Sequence, residues 1–405
     1  MKDKLPPPTE KCGDMKLTLL TLQADVIAVI KCSKITNLEI VEEHKYEFYQ
    51  YLDFLYRLKE RIGDITPRYY KDILFQLGGD HISLSSQHLG DSGVLALCRG
   101  RGLDRAITIA LPDNAIGRPG GEAIAERISS SKSLTSVDLH GNNLDSEGGK
   151  AIADAISSSE SLTSIDLSQN DGGPEFGIEI AKGLAVSKSL TSVNLYENNL
   201  GAEGGKAIAI GISSSKSLTE INLARNHLTD SGHNMTGIQA IAAAISASTC
   251  LTSVNLEGNG LDAEAAKALG PAISRSSSLT NVNLSLNDLG PEGAKSIADA
   301  ISESESLKEI NLYGNKLGPE GAKALGPAIG VSKSLTRIDL SANHLDVESG
   351  KAIAQGLSNS KSMKSINLSY NFSYADREQG QAFRKAIEEG IPVNTSLTNI
   401  DLSNN

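Results

Sequence analysis

Cysteine is scarce in this 405-residue chain, and the four present, Cys12, Cys32, Cys98 and Cys250, are separated by 20, 66 and 152 residues. No Cys-x-x-Cys pair exists, which removes the usual signatures of structural zinc and dithiol redox chemistry. Free thiols in a reducing compartment are the simplest reading. Positive charge is in deficit as well: 38 Lys and Arg stand against 49 Asp and Glu, a formal net charge of −11. Counterion release from a phosphate backbone needs clustered cations, so nucleic acid is not an expected partner. An acidic surface suits solubility and basic partners.

Long apolar runs are also missing. The stretch from Leu17 to Ile30 falls short of the roughly 18 to 20 residues a membrane span needs and is interrupted by Asp25, so no membrane association is expected. Met1 to Gly13 is polar and holds Pro6, Pro7 and Pro8 where a secretory signal would be apolar; a cytoplasmic location is expected, with the nucleus as alternative. The seven histidines form no His-x-x-x-His pair and no His-Glu-x-x-His motif, and no nucleophile sits at a recognisable elbow. No catalysis, metal or cofactor is therefore expected. His88, His227 and His344 share the slot after a recurring Asn or Gln, but their units lie too far apart to hold one ion. Sequons at Asn234, Asn283, Asn367, Asn371 and Asn394 read as chance in a Ser- and Asn-rich chain, since Asn283 and Asn367 fall inside predicted strands.

What is abundant is repetition. Leu134, Leu162, Leu190 and Leu218 stand 28 residues apart, each opening Leu-x-x-(Val/Ile)-(Asp/Asn)-Leu with an Asn three residues later. The phrase returns at Leu251, Leu279, Leu307, Leu335, Met363 and Leu397, with weaker copies near Leu84 and Ile109, giving about twelve units over residues 80 to 405. A fixed period of this length predicts a stacked solenoid, because one unit alone cannot bury its own apolar face.

Within a unit, Leu134, Val137 and Leu139 alternate with Ser136, Asp138 and His140, the pattern of a short strand. Asn142 follows, and the same slot is Asn at 114, 170, 198, 226, 259, 287, 315, 343, 371 and 405, with Gln87 the exception. A carboxamide there can satisfy the backbone of a turn and of the neighbouring unit, so this ladder reads as structural. Ile152 and Ile156 then mark a helix face, Pro174, Pro291 and Pro319 take helix starts, and Ser157 to Ser161 form a Ser-rich link. Glu and Lys recur three residues apart in the first helical turn, as in Glu147 and Lys150, and are placed on the solvated convex side.

The phrase Leu-x-x-Leu-x-Leu-x-x-Asn-x-Leu, with the helix that follows, resembles the ribonuclease-inhibitor type of leucine-rich repeat; residues 194 to 212 match it almost position for position. That resemblance implies an α/β leucine-rich-repeat solenoid, a horseshoe of about twelve repeats with a parallel sheet on the concave face and helices on the convex face. Its members include ribonuclease inhibitors, activators of the Ran GTPase, tropomodulin-like actin cappers and the sensor regions of NOD-like receptors, and what they share is macromolecular binding. This chain lacks the Cys-rich repeats of the first, the acidic tail of the second and a nucleotide-binding module. Gly148-Gly149-Lys150-Ala151 lacks the earlier Gly and the hydroxyl residue of a phosphate loop.

Two regions depart from the period. Residues 1–78 form an N-terminal segment, expected to be disordered at its start and then a helical cap, because nine of the sixteen aromatics lie between Tyr46 and Phe75. The solenoid fills 79–405. Its spacing lengthens to 33 between Leu218 and Leu251 and to 34 between Met363 and Leu397, where an insertion either contacts a ligand or is a tolerated surface bulge. The sequence stops on the repeating Asn at Asn405, so the expectation is either that the protein continues or that a bare apolar C-terminal edge favours self-association.

The expected function is a non-enzymatic intracellular scaffold that binds a protein partner through its concave face. Tyr196, Glu197, Glu220, Asn222, Arg225, Glu309, Tyr313, Arg337, Asp339 and Tyr370 are the candidate contacts, with Tyr and Arg the types most enriched at hot spots. The alternatives are an activator of a small GTPase, with Arg225 or Arg337 as the arginine supplied in trans, and a ligand-sensing fragment of a NOD-like receptor. Leu256→Ala is expected to cost about 2 to 5 kcal/mol and to loosen adjacent units before distant ones, which hydrogen exchange along the array would read.

Overall fold

The computed structural model describes residues 80–99, 103, 105–230, 232–372, 376–391 and 396–405, together with strands Met15–Leu17 and Leu38–Ile40. Those two strands pair in parallel, Met15 opposite Leu38, in a sheet of their own. The helical cap expected between residues 41 and 78 lies outside the described residues.

From His81–Ser83 to Asn399–Asp401, twelve three-residue strands form a single sheet in unbroken chain order. Each pairs in parallel with its neighbour, residue for residue, as in Val137 opposite Ile165 and Ile310 opposite Ile338. Eleven helices among the described residues, Gly90–Arg99 through Arg377–Gly390, return the chain from one strand to the next. The middle residue of nearly every strand turns toward the helices, so Ile82, Ile109, Val137, Ile165, Val193 and Ile221 form a buried column that continues to Ile366. Helix residues such as Ile152, Ile156, Ile208 and Ile212 cover it from the other side. Strands stack about 4.8 Å apart while packed helices need about 8 to 10 Å, so the array must curve with the sheet inside.

The Asn ladder is where units are joined. Asn142 Oδ1 accepts the N–H groups of Asn114 and Ile116 in the preceding unit, and its Nδ2 donates to the carbonyls of Leu111 and Leu139. Asn259 does the same one break in period later, accepting from Asn226 at 2.9 Å and Leu228 at 3.3 Å and donating to Leu223 O at 2.9 Å. Asn114, Asn198, Asn226, Asn315 and Asn343 are fully buried, where an unmade hydrogen bond is costly.

Two further ladders lie in the Ser-rich links. The serine after each helix, Ser159, Ser187, Ser215 or Ser248, accepts through Oγ the N–H of the Leu that opens the next strand phrase. Thr163 and Thr191 Oγ1 donate to the carbonyl of the Thr 28 residues earlier. Aspartate caps the helix start in three units: Asp145 accepts from Gly148, Asp262 from Glu264 and Ala265, and Asp346 forms a reciprocal box with Ser349. Gly148 and Gly149 thus belong to an ordinary capped helix.

The Glu and Lys ladders pair within the helix on the exposed side, at 3.1 Å for Glu203 with Lys206 and 2.6 Å for Glu292 with Lys295. Glu147 instead lies 3.8 Å from Arg118 Nη1. The 33-residue unit keeps strand register, Glu220 opposite Ser253, because its extra residues are absorbed before helix Thr236–Ala247. Thr229 anchors that loop: its buried Oγ1 donates to Asn259 O at 2.9 Å and accepts from Gly232 N–H. The second lengthening includes residues 373–375 and 392–395, outside the described residues.

Asn259→Ala is expected to lower stability by about 3 to 5 kcal/mol, since it strands two donors and two acceptors inside the array. Ser248→Ala, which frees one N–H, is expected to cost about 1 kcal/mol. Urea unfolding of the two variants side by side checks the ranking.

Candidate functional site

Each strand offers its first and third residues to the concave side, and the chain then enters a turn whose backbone repeatedly takes positive φ. Arg225 (φ 51), Leu286 (φ 53), Ala342 (φ 50) and Tyr370 (φ 57) all occupy the slot where Gly141, Gly258 and Gly314 stand in other units. A non-glycine residue there costs roughly 1 to 2 kcal/mol. Leu286 and Tyr370 nonetheless leave 41% and 62% of their surface in solvent, so burial does not offset that cost.

Three of the sequence-derived residues come together. Arg225 Cζ lies 5.7 Å from the centre of the Tyr196 ring, and its Nη2 is 3.8 Å from Glu257 Oε1. Glu197 closes the other flank and accepts from Gln169 Nε2 at 3.1 Å. The Tyr196 phenol is held above its ordinary pKa, first by partial burial and then by its hydrogen bond to Glu197. This is a cation–π pair of a half-buried ring and an exposed guanidinium, framed by two carboxylates.

A second group lines a concave groove of about 450 Å³ bounded by Glu220, Asn255, Asn283, Glu309, Arg337 and Asp339. Arg337 sits directly across from Glu309 in the strand register, and its strand neighbour on the far side is Ser365. Tyr313, 38% exposed, and Tyr370 stand on the turn side of later units.

Asn222 and Asp339 have a different position from the rest. Asn222 Oδ1 accepts the N–H of Ala224, and Asp339 Oδ1 accepts from the N–H of Ser341 while its Oδ2 accepts from Asn367 Nδ2 at 2.9 Å. The same Asx turn recurs at Asp138, Asp166, Asn194, Asn255, Asn283, Asn311 and Asp401. At Asp401 the N–H and hydroxyl of Ser403 hold the carboxyl below its usual pKa. These two candidates thus help shape the turn that presents Arg225 and its counterparts.

One constellation escaped the sequence reading. Asp138, His140 and Asp166, all half-buried on the concave side, place three potential ligand atoms within 4.8 Å of one another. The signal was an Asp in the same slot of two consecutive units with a His two residues after the first. Elsewhere, burial pushes the Cys98 thiol up to about 12, which makes it a poor nucleophile.

The Leucine Rich repeat family matches seven segments, residues 130–153, 186–209, 214–232, 247–270, 275–298, 303–326 and 331–354, each spanning a strand, its turn and the start of the helix or its approach. The chain is a leucine-rich-repeat protein. Comparison with curated protein sequences finds no match. Among solved structures, this leucine-rich-repeat chain is similar to the leucine-rich repeat-containing protein LegL7 from Legionella pneumophila, at 21% identity and TM-score 0.45, covering 68% of this chain and 85% of that one. It is also similar to a chain of the Rad7 and Elc1 complex in yeast, at 14% identity and TM-score 0.42, covering 96% and 94%. The tropomodulin C-terminal domain of Caenorhabditis elegans matches at 18% identity and TM-score 0.30, over 38% and 92%. No helix among the described residues of the leucine-rich-repeat protein is long and apolar enough to cross a membrane.

Asn222→Asp keeps the acceptor for Ala224 N–H and is expected to leave stability unchanged, whereas Asn222→Ala is expected to lose about 1 kcal/mol. Denaturation midpoints of the two variants separate a turn-forming role from a purely surface one.

Proposed function

We propose that this leucine-rich-repeat solenoid is a non-enzymatic scaffold that binds a protein partner through the turn edge of its concave face. The observation that carries the reading is the Tyr196–Arg225 pair between Glu197 and Glu257. A half-buried aromatic and an exposed arginine held against each other before any partner arrives lose little side-chain freedom on binding, a condition that favours a hot spot. The exposed Leu286, Tyr313 and Tyr370 extend an apolar path along the same edge. Location inside the cell, in the cytoplasm or the nucleus, belongs to the same proposal and is supported by the free thiols of Cys98 and Cys250, as a reducing compartment would keep them.

No observation favours the GTPase-activator alternative. Arg225 is engaged by Tyr196 and Glu257, and Arg337 lines a groove together with the acidic Glu220, Glu309 and Asp339.

The test is affinity capture followed by measured affinity for each captured protein. Tyr196→Ala combined with Arg337→Ala is expected to weaken binding tenfold or more, while Glu320→Ala with Lys323→Ala on the convex side leaves it intact. Equal losses from the concave and convex pairs would refute concave binding.

A further inference from the structure

We propose that Asp138, His140 and Asp166 hold one divalent transition-metal ion on the concave sheet. The argument begins with register. Asp138 is directly opposite Asp166 on the adjacent strand, and like charges so placed oppose sheet pairing. In this slot a carboxylate elsewhere has an amide beside it: Asp166 Oδ2 accepts from Asn194 Nδ2 at 2.8 Å, and Asp339 Oδ2 from Asn367 Nδ2 at 2.9 Å. Asp138 has no such neighbour, because the residue across from it on its other side is Ala110. It is the one place among the described strands of the large sheet where two acids face each other in register.

Nothing cationic from Lys or Arg compensates. Among the described residues neither carboxylate has a Lys or Arg within ion-pair distance, and the one basic group at hand is the His140 imidazole, whose Nδ1 is 2.9 Å from Asp138 Oδ1. A third acid adds to the negative field: Gly141 takes positive φ, and the space a Cβ would fill there is taken by Asp113 Oδ1. Half-burial weakens solvent screening of all these charges relative to the open surface.

Two carboxylates and one imidazole, with ligand atoms within 4.8 Å of one another, form a mixed oxygen and nitrogen donor set that small side-chain rotations can close on an ion. Imidazole favours transition ions of the zinc, copper and nickel kind over magnesium and calcium, and three protein ligands leave positions for water or for a group brought by a partner. The donors come from two units, Asp138 and the turn residue His140 from one and Asp166, 28 residues after Asp138, from the next, which is why no contiguous motif marks them.

The experiment is titration calorimetry of the chelator-treated full chain with Zn²⁺, paired with thermal unfolding. One equivalent is expected to bind and to raise the melting temperature, and Mg²⁺ at the same concentration is expected to do neither. Asp138→Asn keeps an acceptor for the His140 N–H and gives Asp166 the amide it has on its other side, so this variant is expected to fold. It should melt higher than the metal-free parent yet lose at least tenfold in Zn²⁺ affinity. Co²⁺ absorption bands that vanish in His140→Ala would establish the imidazole as a ligand. Absence of Zn²⁺ binding, equal binding by the parent and Asp138→Asn, or an equal response to Mg²⁺ would each overturn the proposal.

Discussion

The turn of each unit from Gln87 to Asn371 depends on a carboxamide that the unit does not own. Asn142 Oδ1 satisfies the turn of the preceding unit, Asn259 satisfies the next turn but three in the same way, and each returns its Nδ2 to carbonyls on both sides of the junction. A turn that has left the sheet has no ladder partner of its own, and at near-zero exposure water cannot substitute. The requirement makes the array cooperative between nearest neighbours in a way that apolar packing alone would not. It also explains why the spacing can stretch to 33 residues without loss of register: the constraint acts from junction to junction, and Thr229 re-anchors the extra residues to the carbonyl of Asn259 itself.

The polar ladders decide what remains for a partner. Along the concave side the strand-end Asx residues are committed to the N–H two positions on, and the Thr column is committed to the preceding unit. Side chains free of such duties are those that change identity from unit to unit, and they gather on the turn edge: Tyr196, Glu197, Arg225, Leu286, Tyr313 and Tyr370. Scaffold side chains and the proposed recognition surface thus interleave at a spacing of one or two residues. Composition could not separate them, because Asn222 and Arg225 are equally polar and equally predicted to face outward.

Periodicity made the strand, the helix face and the Asn ladder readable, since each produces a residue type at a fixed offset of 28. The roles of the serines were harder to see. Ser159 and Ser187 look like linker residues, and only the turn geometry brings their hydroxyls to the N–H of Leu162 and Leu190. Asp138 and Asp166 were each visible as strand residues, but their opposition is a property of register between units, which no single unit encodes. Concave contacts were legible as candidates, and the cation–π pairing of Tyr196 with Arg225 was not, because it joins residues of two units through the curvature of the turn.

Curvature itself is set by glycines on the helices. A Cβ on Gly183 would meet the carbonyl of Ala153, on Gly211 that of Ala181, on Gly326 that of Ala352 and on Gly356 that of Gly326. Glycine inside a helix costs about 0.5 to 1 kcal/mol relative to alanine, so its retention at these contacts reflects the close approach it permits. Close helices reduce the mismatch with strands about 4.8 Å apart and hold the arc open. Larger residues at the same positions would separate the helices, tighten the arc and draw the turn edge inward. The spread of Tyr196, Arg225, Tyr313 and Tyr370 along the turn edge is therefore determined on the opposite face, by backbone-to-backbone contacts between helices.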